Sequence, residues 1–299
     1  MAAPEPEAPI ATSGMRLPAG PLGRKSQGRG GIAPGAAGPR PQRLSARMLL
    51  IQLAAVVAFL ALWELFSLTP FAQRAQMPGA ITSFATMFGL WGTGPYWGAI
   101  GGTLGAWAFA LLASIVIGVP LGLVIGRSGI VYTSTHFVVD FLRTLPALAL
   151  VPLGLLLFGP THFMAIALAF FASVWPLLIQ SVYAGKNADP MLHRMARSFR
   201  LRTRDRILYV LVPDALAFIW PGLRLATTAA LLVTIAAEMI GLVTGSIGDA
   251  IAQSQLDTSP PDLFAYVLTS CFLGLGINAV LGLVQSRVLW WHPAFRGRA

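Results

Sequence analysis

Among the ionisable residues inside apolar stretches, four are candidates for a polar path or its gate: Asp140, Arg143, Arg224 and Glu238. A lone charge in hydrocarbon costs about 2.5–3.5 kcal/mol on insertion scales, so none of the four is expected to face lipid unpaired. Asp140 and Arg143 are one helical turn apart, close enough to pair. They either line or gate a polar path, or lie near the inner interface and snorkel. Arg224 and Glu238 are separated by about 21 Å along a helix at 1.5 Å per residue, too far to meet. Glu238 therefore needs another partner, water or a bound ligand, in a path or in a structural hydrogen bond. Carboxylates this sparse within the spans form no obvious protease dyad or proton-relay chain. The chain carries no Gly-rich loop followed by Lys-Ser/Thr, no His-Glu-x-x-His and no Gly-x-Ser-x-Gly, so it does not itself hold ATP through a P-loop. His136, His162, His193 and His292 lack metal-ligand spacing, and the single Cys271 permits no internal disulfide. No catalytic residue, cofactor or metal is expected.

A second group of residues suits recognition. From Asp189 to Arg224 the chain is polar and basic, with Arg194, Arg197, Arg200, Arg202, Arg204 and Arg206 in one run. Asp189 followed by Pro190 is a helix start: the carboxylate caps free N–H groups and proline fits the first turn. Leu192, Met195, Ala196 and Phe199 then fall at i, i+3, i+4 and i+7, one apolar stripe on a helix too short to cross a bilayer. The segment is either a solvated basic loop or a surface offered to a partner.

The elements that must hold these residues are membrane spans. Of 299 residues, 56% are hydrophobic and only 11% charged, where a soluble chain carries about a quarter; mean hydropathy is +0.70. The net charge of +10 sits between apolar runs, which explains it better than nucleic-acid binding does. Six spans are expected, near residues 48–68, 97–126, 136–158, 161–183, 218–242 and 263–284, each long enough for the roughly 20 residues a hydrocarbon core requires. Pro120 is expected to kink the second. Glycines at four-residue spacing (Gly98 and Gly102, Gly101 and Gly105, then Gly118, Gly122 and Gly126) let helix backbones approach. Residues 69–97 read as an outer loop with an interfacial helix, and 243–262 as an irregular outer loop. Residues 1–46, rich in Pro, Gly, Ala and Arg, cannot bury enough apolar surface to offset ordering entropy and are expected to be a disordered basic tail. The transmembrane domain spans 47–292, with a polar loop about 185–213, and 293–299 form a second tail. Inner segments hold the basic clusters and Arg127, whereas outer segments hold Arg74 alone. That asymmetry places both termini and the polar loop in the cytoplasm.

Several phrases, in order and correctly spaced, resemble one family. GVPLGLVIGRS, FLRTLPALALVPLGLLLFG and GLRLATTAALLVTIAAEMIG are similar to ABC-importer permeases, the inner-membrane components of binding-protein-dependent transport systems, in their taurine/alkanesulfonate/nitrate branch. The polar loop resembles that family's coupling loop, Glu-Ala-Ala, then Gly, then Ile-x-Leu-Pro. Val210, Val212, Pro213 and Ala196 match it, whereas Arg194 stands at the Glu, Met195 at the first Ala and Arg200 at the Gly. The resemblance covers about residues 77–291 and implies an all-α polytopic bundle of the type I importer-permease kind. It implies two permease chains, usually identical, in the bacterial inner membrane. It also implies two cytoplasmic ATP-binding subunits docked on Asp189, Leu192, Arg194, Met195, Ala196, Phe199, Arg200 and Pro213, and a periplasmic binding protein that delivers a small solute. Rival readings are a secondary transporter or channel, which favours inverted repeats not seen here, a membrane enzyme, and a permease that has become a docking subunit.

Overall fold

The computed structural model describes residues 46–187 and 190–290. The expected tail at 293–299, that at 1–46 except Ala46, and Asp189 lie outside them. The described residues contain no β-strand. In order they form α1 (Ala46–Ser67), α2 (Pro70–Arg74), α3 (Ala80–Leu90), α4 (Gly94–Arg127), α5 (Gly129–Thr144), a 3-10 turn (Ala147–Leu150) and α6 (Val151–Phe158). They continue with α7 (His162–Lys186), α8 (Pro190–Ser198), α9 (Thr203–Arg206), a π-helical turn (Ile207–Leu211), α10 (Val212–Gly241), α11 (Ile247–Leu256) and α12 (Pro260–Val288).

Five helices are long and apolar enough to cross a membrane, and a sixth span results if α5 and the 147–158 segment count as one. That pair is bent by 77°, where one continuous span over 136–158 is expected from the sequence. The cause is local. Pro146 lacks an N–H and pushes the residue before it out of the helical region, and Leu145 is extended at φ −68°, ψ 122°. Other prolines do not break their helices: α4 runs unbroken through Pro120, α7 through Pro176 and α10 through Pro221. The expected interfacial helix in 69–97 is α3. The 243–262 segment differs from expectation, because α11 occupies half of it. The Ser246 hydroxyl accepts from the Asp249 N–H at 3.0 Å, an N-cap. Ile247 and Ile251 are buried with Tyr96, Ala99 and Ile100. The irregular parts shrink to 242–246, where Leu242 and Gly245 take positive φ of 51° and 79°, and 257–259, where Thr258 has φ of 52°.

The centre of the molecule is α7, packed against α4 on one side and α10 on the other. Small residues make the first contact. A Cβ on Gly122 would stand 2.5 Å from the Leu178 carbonyl oxygen, and one on Gly118 3.3 Å from that of Val174. Gly126 lies equally tight on Val182 and Gly185. Gly98, Gly101 and Gly105 face open space instead, so only part of the glycine pattern is packing. The Ser114 and Ser173 hydroxyls meet at 2.7 Å across the α4–α7 seam, where lipid offers no competing partner. Ala165, Leu168, Ala230 and Val233 fill the space beside Ala110 and Val151. α1 is peripheral, with the apolar stretch of its span wholly unburied. It is tied to α3 by Glu64, whose Oε2 accepts the Ile81 N–H at 3.0 Å and so caps a helix whose own N-cap, Gly79, has no side chain.

Candidate translocation and coupling site

Glu238 lies near the C-terminal end of α10 and is 0% exposed. The Thr103 hydroxyl of α4 donates to its Oε2 at 2.7 Å, and the same hydroxyl accepts the Ile247 N–H at 2.9 Å. One threonine thus links α4, α10 and the first turn of α11. The carboxylate faces the N-terminal end of α11, whose free N–H groups and dipole favour negative charge. Gly248 permits the approach, since a Cβ there would stand 2.5 Å from the Glu238 Cβ and the Met239 nitrogen. Glu238 Oε1 is buried without a hydrogen-bond partner in good geometry, and so is Nδ1 of His162, which packs nearby against Gly102. Two buried polar atoms without a well-aligned partner therefore sit at one end of the bundle.

Asp140 belongs to a different environment. It accepts from Arg143 Nε and faces His136 Nδ1, each at 3.1 Å, with its side chain 38% exposed. The pairing of Asp140 with Arg143 expected from their spacing is present, and His136 completes a chain of three along one face of α5. None of α5 is buried. The three line a cavity of about 120 Å³ between α5 and α7, with Tyr132, Thr135 and Tyr183. Lys186 caps the other end of this face, its Nζ 2.9 Å from the centre of the Tyr132 ring, a cation–π contact. Arg224 is exposed on α10, beside Gly282 of α12. Among the described residues, no hydrogen bond or ion pair joins Arg224, Glu238 and the Asp140 group, so the structure does not gather the four into one constellation.

The basic loop folds as a short helix, a tight turn and a π-helical lead into α10. Ala196 is 3% exposed, whereas Met195 is 50% and Phe199 73% exposed. Leu192 is exposed and Phe199 falls one residue past the end of α8, so the stripe expected to seat a helix ends on its cap. Arg200 has φ of 50°. Its N–H bonds the Arg197 carbonyl at 2.9 Å and the Leu201 N–H bonds that of Ala196 at 3.1 Å, the paired closure of a Schellman turn. A left-handed residue at this point normally costs about 1 kcal/mol unless it is glycine. Pro213 stands in the first turn of α10, where a missing N–H is harmless. Beside it, Val119, Leu123, Arg127, Leu177 and Ala215 bound an apolar cavity of about 330 Å³.

Sequence reasoning did not single out Thr103, His136, Glu64 or Tyr132 as partners. Nothing at short range marks Thr103, which meets Glu238 across 135 residues of chain. His136 stands at i−4 from Asp140, a helical spacing that signals the contact. Among the described residues no three His, Cys, Asp or Glu side chains converge to hold a metal ion.

A bundle of long apolar helices with buried small-residue seams, a broken span and a basic loop is that of a multi-pass membrane protein. Residues 118–289 match the family described as the binding-protein-dependent transport system inner membrane component, and the chain belongs to that family. It is 29% identical over 198 residues to the nitrate import permease protein NrtB of Leptolyngbya laminosa, covering 66% of this chain and 70% of that one. It is 27% identical over 252 residues to the bicarbonate transport system permease protein CmpB of Synechococcus elongatus, covering 81% and 90%. It is 24% identical over 238 residues to the putative aliphatic sulfonates transport permease protein SsuC of Bacillus subtilis, covering 80% and 86%.

Proposed function

We propose that this permease subunit forms, with a second and identical copy, the path of an ATP-driven importer in a bacterial inner membrane, with both termini cytoplasmic. Two cytoplasmic ATP-binding subunits dock on α8, and a periplasmic binding protein delivers the solute. The observation that carries the docking is the exposure of Met195 and Phe199 on a short helix at the basic end of the bundle. Large apolar side chains left bare outside a span favour a protein partner. The solute is a small anion, because the three relatives above are named for nitrate, bicarbonate and aliphatic sulfonates. The half-exposed His136–Asp140–Arg143 face of α5 supports a watered path: charges in a candidate span that are not buried in their own chain require water or a second copy beside them.

In this reading ATP closes the pair of ATP-binding subunits and moves both α8 helices. Each pulls on α10 through the 207–211 turn, and the apolar cavity beside Pro213 leaves room for repacking. ATP binding thereby favours one of two packings of the bundle. Glu238, Thr103 and the start of α11 hold the opposite end and form its gate.

The test is co-purification. A tagged chain, extracted gently from its native membrane, is expected to bring a P-loop protein in stoichiometric amount, and the companion binding protein is then screened against nitrate, bicarbonate and sulfonates. A homo-oligomer with no ATP-binding subunit in several detergents would overturn the proposal in favour of a docking subunit or secondary transporter.

A further inference from the structure

The loop between α7 and α10 holds more basic than acidic residues. Arg197, Arg200, Arg202 and Arg204 are all exposed. The ion pairs among the described residues are those of Asp140 with His136 and Arg143, so these four arginines have none there. Asp205 is the one acidic residue between Pro190 and Arg206. Arg206 turns its Nε inward without finding an acceptor. The Schellman turn at Arg200 fixes the direction in which the arginines leave α8. On a nine-residue helix, Arg197 stands about 160° round from the exposed Met195, with the buried Ala196 between them against the bundle, so apolar floor and basic rim are separated.

Two surfaces attract such a helix, an anionic membrane and an acidic protein groove. Helix length favours the second. α10 has 30 residues, about 45 Å, whereas the hydrocarbon core is about 30 Å thick. With Gly241 at the far interface, Val212 stands well clear of the acyl chains, and α8 joins the bundle beyond it, against the 207–211 turn. The exposed Met195 and Phe199 are then out of reach of lipid tails.

We propose that α8, α9 and the turn between them dock on a groove with an apolar floor and a rim of carboxylates opposite Arg197, Arg200, Arg202 and Arg204. The occupant is the ATP-binding subunit, so this inference rests on the function proposed above. Apolar contact supplies the seat. The charges steer encounter and select a matched partner over ATP-binding subunits with a neutral or basic rim.

The experiment uses the full chain in nanodiscs of neutral lipid and the ATP-binding subunit that co-purifies with it, with affinity measured at low and high salt. The wild-type complex is expected to weaken about tenfold or more from low to high salt, as exposed charge pairs are screened. R197E/R200E/R202E/R204E is expected to lose about a hundredfold or more at low salt, and the neutral set R197Q/R200Q/R202Q/R204Q to lose less and to become salt-insensitive. M195D/F199D is expected to abolish binding at both salts. Retention of the oligomer on size exclusion shows that each variant is folded. Tight binding that ignores salt and both arginine sets would overturn the acidic rim while leaving the docking reading intact. Salt dependence that appears only when phosphatidylglycerol is added would assign the arginines to lipid headgroups and also overturn it. If no ATP-binding subunit accompanies the wild-type chain, the docking reading itself fails.

Discussion

Two of the carboxylates within the candidate spans, Glu238 and Asp140, are treated in opposite ways. Glu238 is wholly buried between α10, α4 and α11, and is held by one threonine that also anchors the next helix. Asp140 is more than a third exposed on a helix with no buried residue, and its partners are its own neighbours at i−4 and i+3. The first is a tertiary tie and the second a local chain of charge. A buried group that loses its partner bears the full desolvation penalty, about 1–3 kcal/mol, whereas an exposed pair is worth about 0–1 kcal/mol. Glu238 should therefore govern how the bundle holds together, and Asp140 what moves along it.

The comparison breaks entirely if the common framework is removed. Gly122→Leu places a side chain where the Leu178 carbonyl and Ser181 already stand. It is expected to abolish the folded bundle, read as loss of a monodisperse peak in fluorescence-detected size exclusion. Next in size, Glu238→Ala empties a buried site and leaves the Thr103 hydroxyl without its acceptor, costing about 2–3 kcal/mol. A thermal-shift assay in detergent should show the fall, with Glu238→Gln milder because its carbonyl still accepts. Thr103→Val should cost about 1–2 kcal/mol and loosen α11, seen as faster amide exchange over 247–256. Smallest in stability is Asp140→Asn, within about 0.5 kcal/mol of wild type. Solute uptake into proteoliposomes with the binding protein and ATP-binding subunit should nonetheless fall severalfold. A stability loss at Asp140 as large as that at Glu238 would erase the distinction.

Much of the architecture was legible in the sequence. The apolar runs correspond to α1, α4, α7, α10 and α12 because hydrocarbon dictates their length and composition. The third run misled because a hydropathy pattern does not see direction. Leu145 and Pro146 turn the chain by 77° without any change in polarity. α11 was read as irregular because its flanking Gly245 and Pro260 are strong breakers, whereas its burial against Tyr96 and Ile100 is a tertiary fact. The Asp140–Arg143 pair was readable from helical spacing alone. The Thr103–Glu238 bond was not, since it depends on how α4 and α10 pass each other around α7. The turn at Arg200 was readable only as a departure from glycine, and its positive φ now explains the preference. Arg200→Gly should accordingly stabilise the loop by about 1 kcal/mol, read as slower proteolysis between α8 and α9.

The most direct measurement is the water accessibility of the two carboxylate positions in the intact membrane. With Cys271, the one cysteine of the chain, replaced by serine, Asp140→Cys and Glu238→Cys are each treated with a water-soluble thiosulfonate. Rapid labelling at 140 with protection at 238 is expected if α5 lines the solute path and Glu238 closes the bundle. Protection at 140 together with rapid labelling at 238 would contradict that arrangement and move the path to the other end of α10.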